Sequence, residues 1–342
     1  MGTATDAPAM KVLIDHPNPF ALAHGGLQVQ IEQTKRGLEQ IGVEVEWLRW
    51  WDDAQSADII HYFGRPTGTY VRFAQAKGKK VVIAELLTGL GSRNAAGRWL
   101  QTGLIGALRN ISFLDRMSWN SYLEADACVA GTPWEKHLMS TVFGAPAERV
   151  YIVPNGVEQV FFDAPPVERG PWLVCTATIT ERKRVLEVAR AAVTAQTPLW
   201  IVGKPYTEDD PYFREFVEVA RAHPQFVRYE GGISDRARLA AVYREARGFV
   251  LLSTMESLSL SSGEAAACEC PLLFSDLPWA RTVYGEAARY CPVSKSAAVI
   301  APALRRFYDE APTIAPVPKP LTWPEVARQF QAIYAGLCKT SR

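Results

Sequence analysis

The stretch Phe249-Val-Leu-Leu-Ser-Thr-Met-Glu256-Ser-Leu-Ser-Leu-Ser-Ser-Gly-Glu264-Ala-Ala-Ala-Cys-Glu-Cys-Pro271 decides the architecture. Its apolar start reads as a buried strand ending at Ser253. A short loop carries Glu256, and a helix opens near Ser262 with Glu264 in its first turns. A strand–loop–helix unit of this kind turns backbone N–H groups toward the space beyond the strand, the usual place to hold phosphate. A carboxylate in the loop suits a sugar hydroxyl, and a second on the helix suits a ribose diol. The competing reading is acidic capping of a helix N-terminus, where Glu is favoured in any case. Spacing alone leaves both open.

Short apolar runs alternate with helical periodicity on the N-terminal side of this unit. Residues 11–15, 43–48, 58–63, 80–84, 125–130 and 149–153 read as strands, with helices over 29–41 and about 69–77. The polar, proline-rich segment 163–170 reads as a linker. The alternation then restarts, with strands at 172–176, 199–202, 226–229, 249–253 and 271–274 and helices over 185–195, 212–222, 236–245 and 262–267. Strands separated by helices make a parallel sheet covered on both faces. The expectation is an α/β chain of two doubly wound Rossmann-like domains, 1–162 and 163–318, facing each other across a cleft. A further helix follows in 319–342, with Thr322 as its cap and Pro324 near its first turn.

Bulk composition bounds the function. A chain of 342 residues suits two domains of roughly 150 residues each. Its 48% hydrophobic and 21% charged residues are those of a globular protein. The net charge of +1 gives no global pull toward nucleic acid, which needs a marked basic excess. No apolar run approaches the roughly 18 residues of a spanning helix, and residues 1–10 lack a signal-peptide pattern. The cysteines (Cys128, Cys175, Cys268, Cys270, Cys291 and Cys338) have no metal-site spacing. The expectation is therefore a cytoplasmic chain with reduced thiols and no metal or other cofactor.

Glu256-x7-Glu264, with Cys268 and Pro271 beyond it, resembles the acidic motif of family-4 retaining glycosyltransferases of the GT-B fold. Val153-Pro-Asn-Gly-Val157, followed by Phe161, is similar to that family's signature at the end of the N-terminal domain. His24-Gly25-Gly26 resembles its glycine-rich turn after the first strand. Lys183 matches its phosphate-binding lysine, and Gly231-Gly232-Ile233-Ser234 sits where the family holds the nucleotide base. The C-terminal helix resembles the one that crosses back onto the N-terminal domain. The resemblance covers nearly the whole chain.

It implies transfer of a sugar from a nucleotide-sugar, most often a UDP-sugar, with retention of configuration and without metal. Glu256 would hold the hydroxyls of the donor sugar and Glu264 the ribose diol. The loop Ser257-Leu258-Ser259-Leu260 would meet the diphosphate with the amides of Ser259 and Leu260. Lys183 would neutralise charge on the departing diphosphate. Gly232, Ile233, Thr178 and Arg182 would complete the nucleotide site. His24, Gly25 and Gly26 would serve the acceptor side, where a glycan, a lipid-linked molecule or a small molecule receives the sugar. Polysaccharide, glycan or glycolipid synthesis is the setting this implies.

Departures from the pattern bear on activity. Thr178 stands where the family pairs its lysine with an arginine, which leaves Arg182 or Arg184 to substitute. No histidine follows the fourth strand, where Glu85 stands instead and reads as a structural partner. Glu269 replaces a usual glycine. These losses support an alternative, a degenerate transferase that binds a nucleotide-sugar or a partner without turning over. A sugar-nucleotide epimerase of the same fold is a third reading, which the acidic motif and Pro-Asn-Gly-Val oppose.

Other features read more plainly. His61 reads as a satisfied core histidine. Trp47, Trp50 and Trp51 read as packing residues, with sugar stacking as the lesser option. The stretch 98–119 repeats Leu100, Leu104, Leu108 and Ile111 at helical spacing among Arg98, Arg109 and Arg116. That pattern fits either peripheral contact with a membrane surface or, the favoured reading, a core-facing helix with a solvated face.

Overall fold

The computed structural model describes residues 10–17, 19–20, 25–108, 118–163 and 165–339. Two compact units divide the chain, one formed by residues 1–156 with 321–342 and the other by 157–320. Each is built on a six-stranded sheet whose strand pairs are all parallel.

The first sheet contains β1 (Lys11–Asp15), β2 (Glu44–Trp47), β3 (Ile59–Phe63), β4 (Lys80–Ala84), β5 (Ala127–Ala130) and β6 (Val150–Ile152), in the order β2-β1-β3-β4-β5-β6. The central strands β3 and β5 are buried on both faces, which is why Ile-Ile-His-Tyr-Phe and Ala-Cys-Val-Ala read as unbroken apolar runs. The second sheet contains β7 (Leu173–Thr176), β8 (Leu199–Val202), β9 (Val227–Tyr229), β10 (Gly248–Leu251), β11 (Leu272–Ser275) and β12 (Arg289–Cys291), in the order β12-β11-β10-β7-β8-β9. The chain leaves β7 on one side for β8 and β9, then returns on the other for β10. A switch of direction therefore lies between β7 and β10, and another lies between β1 and β3 in the first sheet. Doubly wound sheets bind ligands beyond the carboxyl ends of their strands at such points.

Local chemistry sets the helix starts. Thr132 Oγ1 accepts the Glu135 amide at 3.1 Å with Pro133 in the first turn, and Asp235 Oδ1 accepts the amides of Ala237 and Arg238. Helix Gly26–Gln40 begins three residues earlier than periodicity suggests, at the glycine pair itself, because Gly25 holds the positive φ of 149° that turns the chain into it.

The division between units falls at residues 156 and 157, ahead of the expected 162. Helix Gln159–Asp163 lies in the second unit, where Phe161 is fully buried and stacks at a tilt on Tyr243, 6.0 Å between centroids. Helix Trp323–Lys339 belongs to the first unit and packs on Gly26–Gln40. The glycine of Pro154-Asn155-Gly156 is dictated here. A Cβ on Gly156 would stand 2.7 Å from Trp323 Cα and 2.8 Å from Trp323 N, a clash with backbone that no rotamer relieves.

Several sequence expectations change on contact with the fold. Trp50 is 76% exposed and Trp51 84%, so neither is a packing residue. Within 98–119, helix Ala95–Leu108 buries only Ile105 among its described side chains, while Trp99, Leu100 and Leu104 are exposed. That helix meets the core of the first unit through Ile105, with Trp99, Leu100 and Leu104 on its solvated side, and Arg109, Ile111 and Arg116 lie outside the described residues. His61 is buried, its Nδ1 2.6 Å from the Tyr334 hydroxyl, and burial lowers its pKa to about 3. Among the described residues no helix is long and apolar enough to cross a membrane.

Candidate functional site

The second unit gathers the residues singled out in the acidic motif. Past β7 the chain makes a 3-10 turn over Glu181–Lys183, and past β10 it makes the loop that carries Glu256. Thr254 joins the two, its amide donating to the Arg182 carbonyl at 2.8 Å and its hydroxyl to the same carbonyl at 3.2 Å. Arg182 returns a bond from Nη1 to the Met255 carbonyl at 3.0 Å. Lys183 Nζ and Glu256 Oε2 form a direct ion pair, with Arg182 Nη1 at 3.6 Å from the same oxygen. Both paired side chains are about nine-tenths buried, where attraction between charges is stronger than in water.

The two candidate substitutes for the missing arginine part company. Arg184 adopts a left-handed backbone, φ 53°, and sends its guanidinium into the interior. There it donates to the carbonyls of Leu252 and Ser294 and to Ser275 Oγ at 2.8 Å. It braces the ends of β10 and β11 and is not at the site. Arg182 is, beside Glu256. Thr178 lies between β7 and the turn, half-buried.

Helix Leu260–Ala267 starts at the end of the Glu256 loop, two residues earlier than expected, with Ser259 at its N-cap position. Ser257 and Ser259 are buried, and Ser262 Oγ donates to the Ser259 carbonyl at 2.7 Å. The first amides of the helix, Leu260 to Ser262, precede its earliest bond, from the Gly263 amide to the Ser259 carbonyl at 3.3 Å. Leading amides of this kind attract anions.

Glu264 faces inward from this helix into a network that sequence reasoning missed. Arg236 Nη2 donates to Glu264 Oε1 at 2.5 Å and lies 2.7 Å from Glu158 Oε1, while its guanidinium sits over the Phe161 ring. The Tyr243 hydroxyl is 3.2 Å from Glu264 Oε2 and 2.5 Å from Thr176 Oγ1 at the end of β7. Burial pushes the Glu264 carboxyl above its ordinary value against the pull of Arg236 and Tyr243. The available signal was the Asp235 cap, which sets Arg236 at the first helical position.

The departure at Glu269 falls away from this group. Glu269 has φ 57° and follows the last turn of the helix. Its amide bonds the Ala266 carbonyl at 2.9 Å and the Cys270 amide bonds the Ala265 carbonyl at 3.0 Å, the Schellman arrangement that favours glycine there. Lys319 pairs with its carboxylate at 2.9 Å. Gly232 and Ile233 follow the edge strand β9, two strands from β7. Gly25 and Gly26 lie in the first unit, and His24 lies outside the described residues. Glu85, also in the first unit, accepts both arms of the Arg65 guanidinium at 2.9 Å and the Tyr122 hydroxyl, the structural role expected of it. Among the described residues no group of three or more His, Cys, Asp or Glu gathers to hold a metal ion.

Residues 170–310 match the family model described as glycosyl transferases group 1. The chain is similar in structure to a sucrose-phosphate synthase from Thermosynechococcus elongatus, with a TM-score of 0.68, 17% identity, and coverage of 97% of this chain and 100% of that one. It is similar too to the Anabaena protein Alr3699/HepE solved with UDP and glucose, with a TM-score of 0.63, 14% identity, and coverage of 97% and 99%. The apo lipopolysaccharide outer core galactosyltransferase WaaB gives a TM-score of 0.64 at 14% identity, with coverage of 96% and 99%. No curated protein matches at the sequence level. The fold is that of the GT-B glycosyltransferases, and the segment holding Lys183, Glu256 and Glu264 carries the group 1 glycosyl transferase pattern.

Proposed function

We propose that this chain transfers a sugar from a UDP-sugar to an acceptor hydroxyl with retention of configuration and without a metal. The observation that carries the reading is the convergence of Lys183, Arg182 and Glu256 beside the leading amides of helix Leu260–Ala267, at the carboxyl ends of β7 and β10. The structural neighbour Alr3699/HepE, solved with UDP and glucose, supports the choice of donor. Breaking the bond between the anomeric carbon and the diphosphate builds negative charge on the leaving oxygen. Lys183, Arg182 and the amides of Ser259 and Leu260 stabilise that charge with groups already in place. Glu256 accepts from hydroxyls of the donor sugar, and Glu264, held by Arg236 and Tyr243, accepts from the ribose diol. Arg182 takes the role of the absent arginine at position 178. The first unit supplies the acceptor site.

Peripheral contact with an anionic lipid surface is part of the proposal. Helix Ala95–Leu108 exposes Trp99, Leu100 and Leu104, and residues 86–114 contain no acidic side chain while holding Arg93, Arg98 and Arg109. Co-sedimentation with phosphatidylglycerol vesicles, lost in Trp99→Ser/Leu104→Ser, checks this part.

The reaction is tested by measuring UDP release from UDP-glucose, UDP-galactose and UDP-N-acetylglucosamine with EDTA present, followed by NMR of the product's anomeric proton. Turnover with the donor's configuration kept supports the reading. UDP binding without any turnover would favour the degenerate binding protein, and an inverted product would overturn retention.

A further inference from the structure

The first unit holds a second built site, made of aromatic rings around one buried carboxylate. Asp15, at the carboxyl end of β1, is 4% exposed. It accepts from the His16 amide at 2.8 Å, from Trp50 Nε1 at 3.3 Å and from the Tyr70 hydroxyl at 2.7 Å. Three donors leave roughly one of a carboxylate's four acceptor positions. Asp15 forms no ion pair among the described residues. Around it His16 and Phe20 stack at 4.3 Å, and Trp47 meets both edge-on. These residues, with Trp50 and Trp51, line a cavity of about 490 Å³, a size suited to a small molecule.

The loop that presents the tryptophans is braced before any ligand arrives. The Arg49 guanidinium binds Asp52 through Nε at 2.9 Å and Glu46 through Nη1 at 2.7 Å. The Gln55 side chain accepts the Arg49 amide and donates to the Trp47 carbonyl, each at 2.9 Å. Two neighbouring tryptophans held exposed in this way mark a contact surface, since indole rings left in water forgo a large apolar burial. Asp52 and Asp53 beside them oppose an anionic lipid surface.

We infer that this cavity is a subsite for a pyranose ring of the acceptor, stacked on Trp50 and Trp51 with one hydroxyl donated to Asp15; the inference rests on the transferase reading above. A pyranose shows one face of polarised C–H groups, which the negative face of an indole attracts, and a rim of hydroxyls. An aromatic wall with a single available carboxylate position matches that pattern of apolar face and polar edge.

The test is saturation-transfer NMR with methyl glucopyranoside, methyl galactopyranoside and methyl mannopyranoside, and with choline as a cation probe. UDP-induced thermal stabilisation is followed in parallel. Saturation of pyranoside ring protons is expected, weakened about tenfold in Trp51→Ala, as loss of a stacking partner implies. Trp50→Phe keeps a ring but loses the bond to Asp15, and is expected to fall between the two. UDP stabilisation of Trp51→Ala shows that the variant is folded. A pyranoside signal unchanged in Trp51→Ala, or absent from the wild type while UDP still stabilises, overturns the inference. A response to choline alone also overturns it and makes the site a cation cage. Loss of UDP stabilisation in the wild type would instead strike the transferase reading.

Discussion

The ammonium of Lys183 and the carboxylate of Glu256 meet as an ion pair between the turn after β7 and the loop after β10. The Thr254 amide bonds the Arg182 carbonyl and the Arg182 guanidinium bonds the Met255 carbonyl, so the pair sits on a braced frame. Lys183→Ala and Glu256→Gln are each expected to lower turnover about 10²- to 10³-fold, the usual effect of removing one preorganised charge partner. Steady-state UDP release checks this, and wild-type turnover in either variant would contradict the assigned roles.

Arg236 is the cationic partner of the buried Glu264 carboxyl, and it opposes the rise in pKa that burial imposes there. Arg236→Ala strands that carboxylate with only the Tyr243 hydroxyl, and stability is expected to fall by about 1–3 kcal/mol. Denaturant unfolding reads the change. The double variant Arg236→Ala/Glu264→Gln is expected to recover part of it, because a neutral amide replaces the buried carboxyl that lost its partner.

How much of this was legible in the sequence follows from physics. Both sheets could be read because parallel strands covered on both faces leave unbroken apolar runs such as Ile59–Phe63. Lys183 and Glu256 were expected in one site only because their motifs resemble a family's; that they pair, from the segments after β7 and β10, is seen in the structure. The Arg236–Glu264 network could not be read, since nothing local to either residue names the other. The inward turn of Arg184 depends on one left-handed backbone position, which composition does not announce. Trp50 and Trp51 were expected to pack because aromatic residues near a strand ordinarily do; the Arg49 and Gln55 brace around them is a set of local side-chain bonds that hydrophobic periodicity does not register.

His61 gives the first unit a dependence on pH. Its folded pKa is lowered to about 3 by burial, from an ordinary value near 6.5. The unfolded chain therefore takes up a proton below about pH 6.5 that the folded chain refuses, so stability is full above that pH and falls as pH drops. The loss amounts to about 2 kcal/mol by pH 5. Unfolding curves of the wild type and His61→Asn between pH 7 and pH 5 check this, and the variant is expected to show a shallower decline over that range.

The central claim is a metal-independent nucleotide-sugar site in the second unit. Its most direct test is the thermal midpoint of the protein with UDP, UDP-sugars, GDP and ADP, with and without EDTA. Ligand at about 100 times its Kd stabilises the native state by about 2.7 kcal/mol, a shift easily measured. UDP and its sugars are predicted to raise the midpoint equally with and without EDTA, with a smaller rise in Lys183→Ala. No rise with any nucleotide, or a rise that EDTA abolishes, would contradict the account.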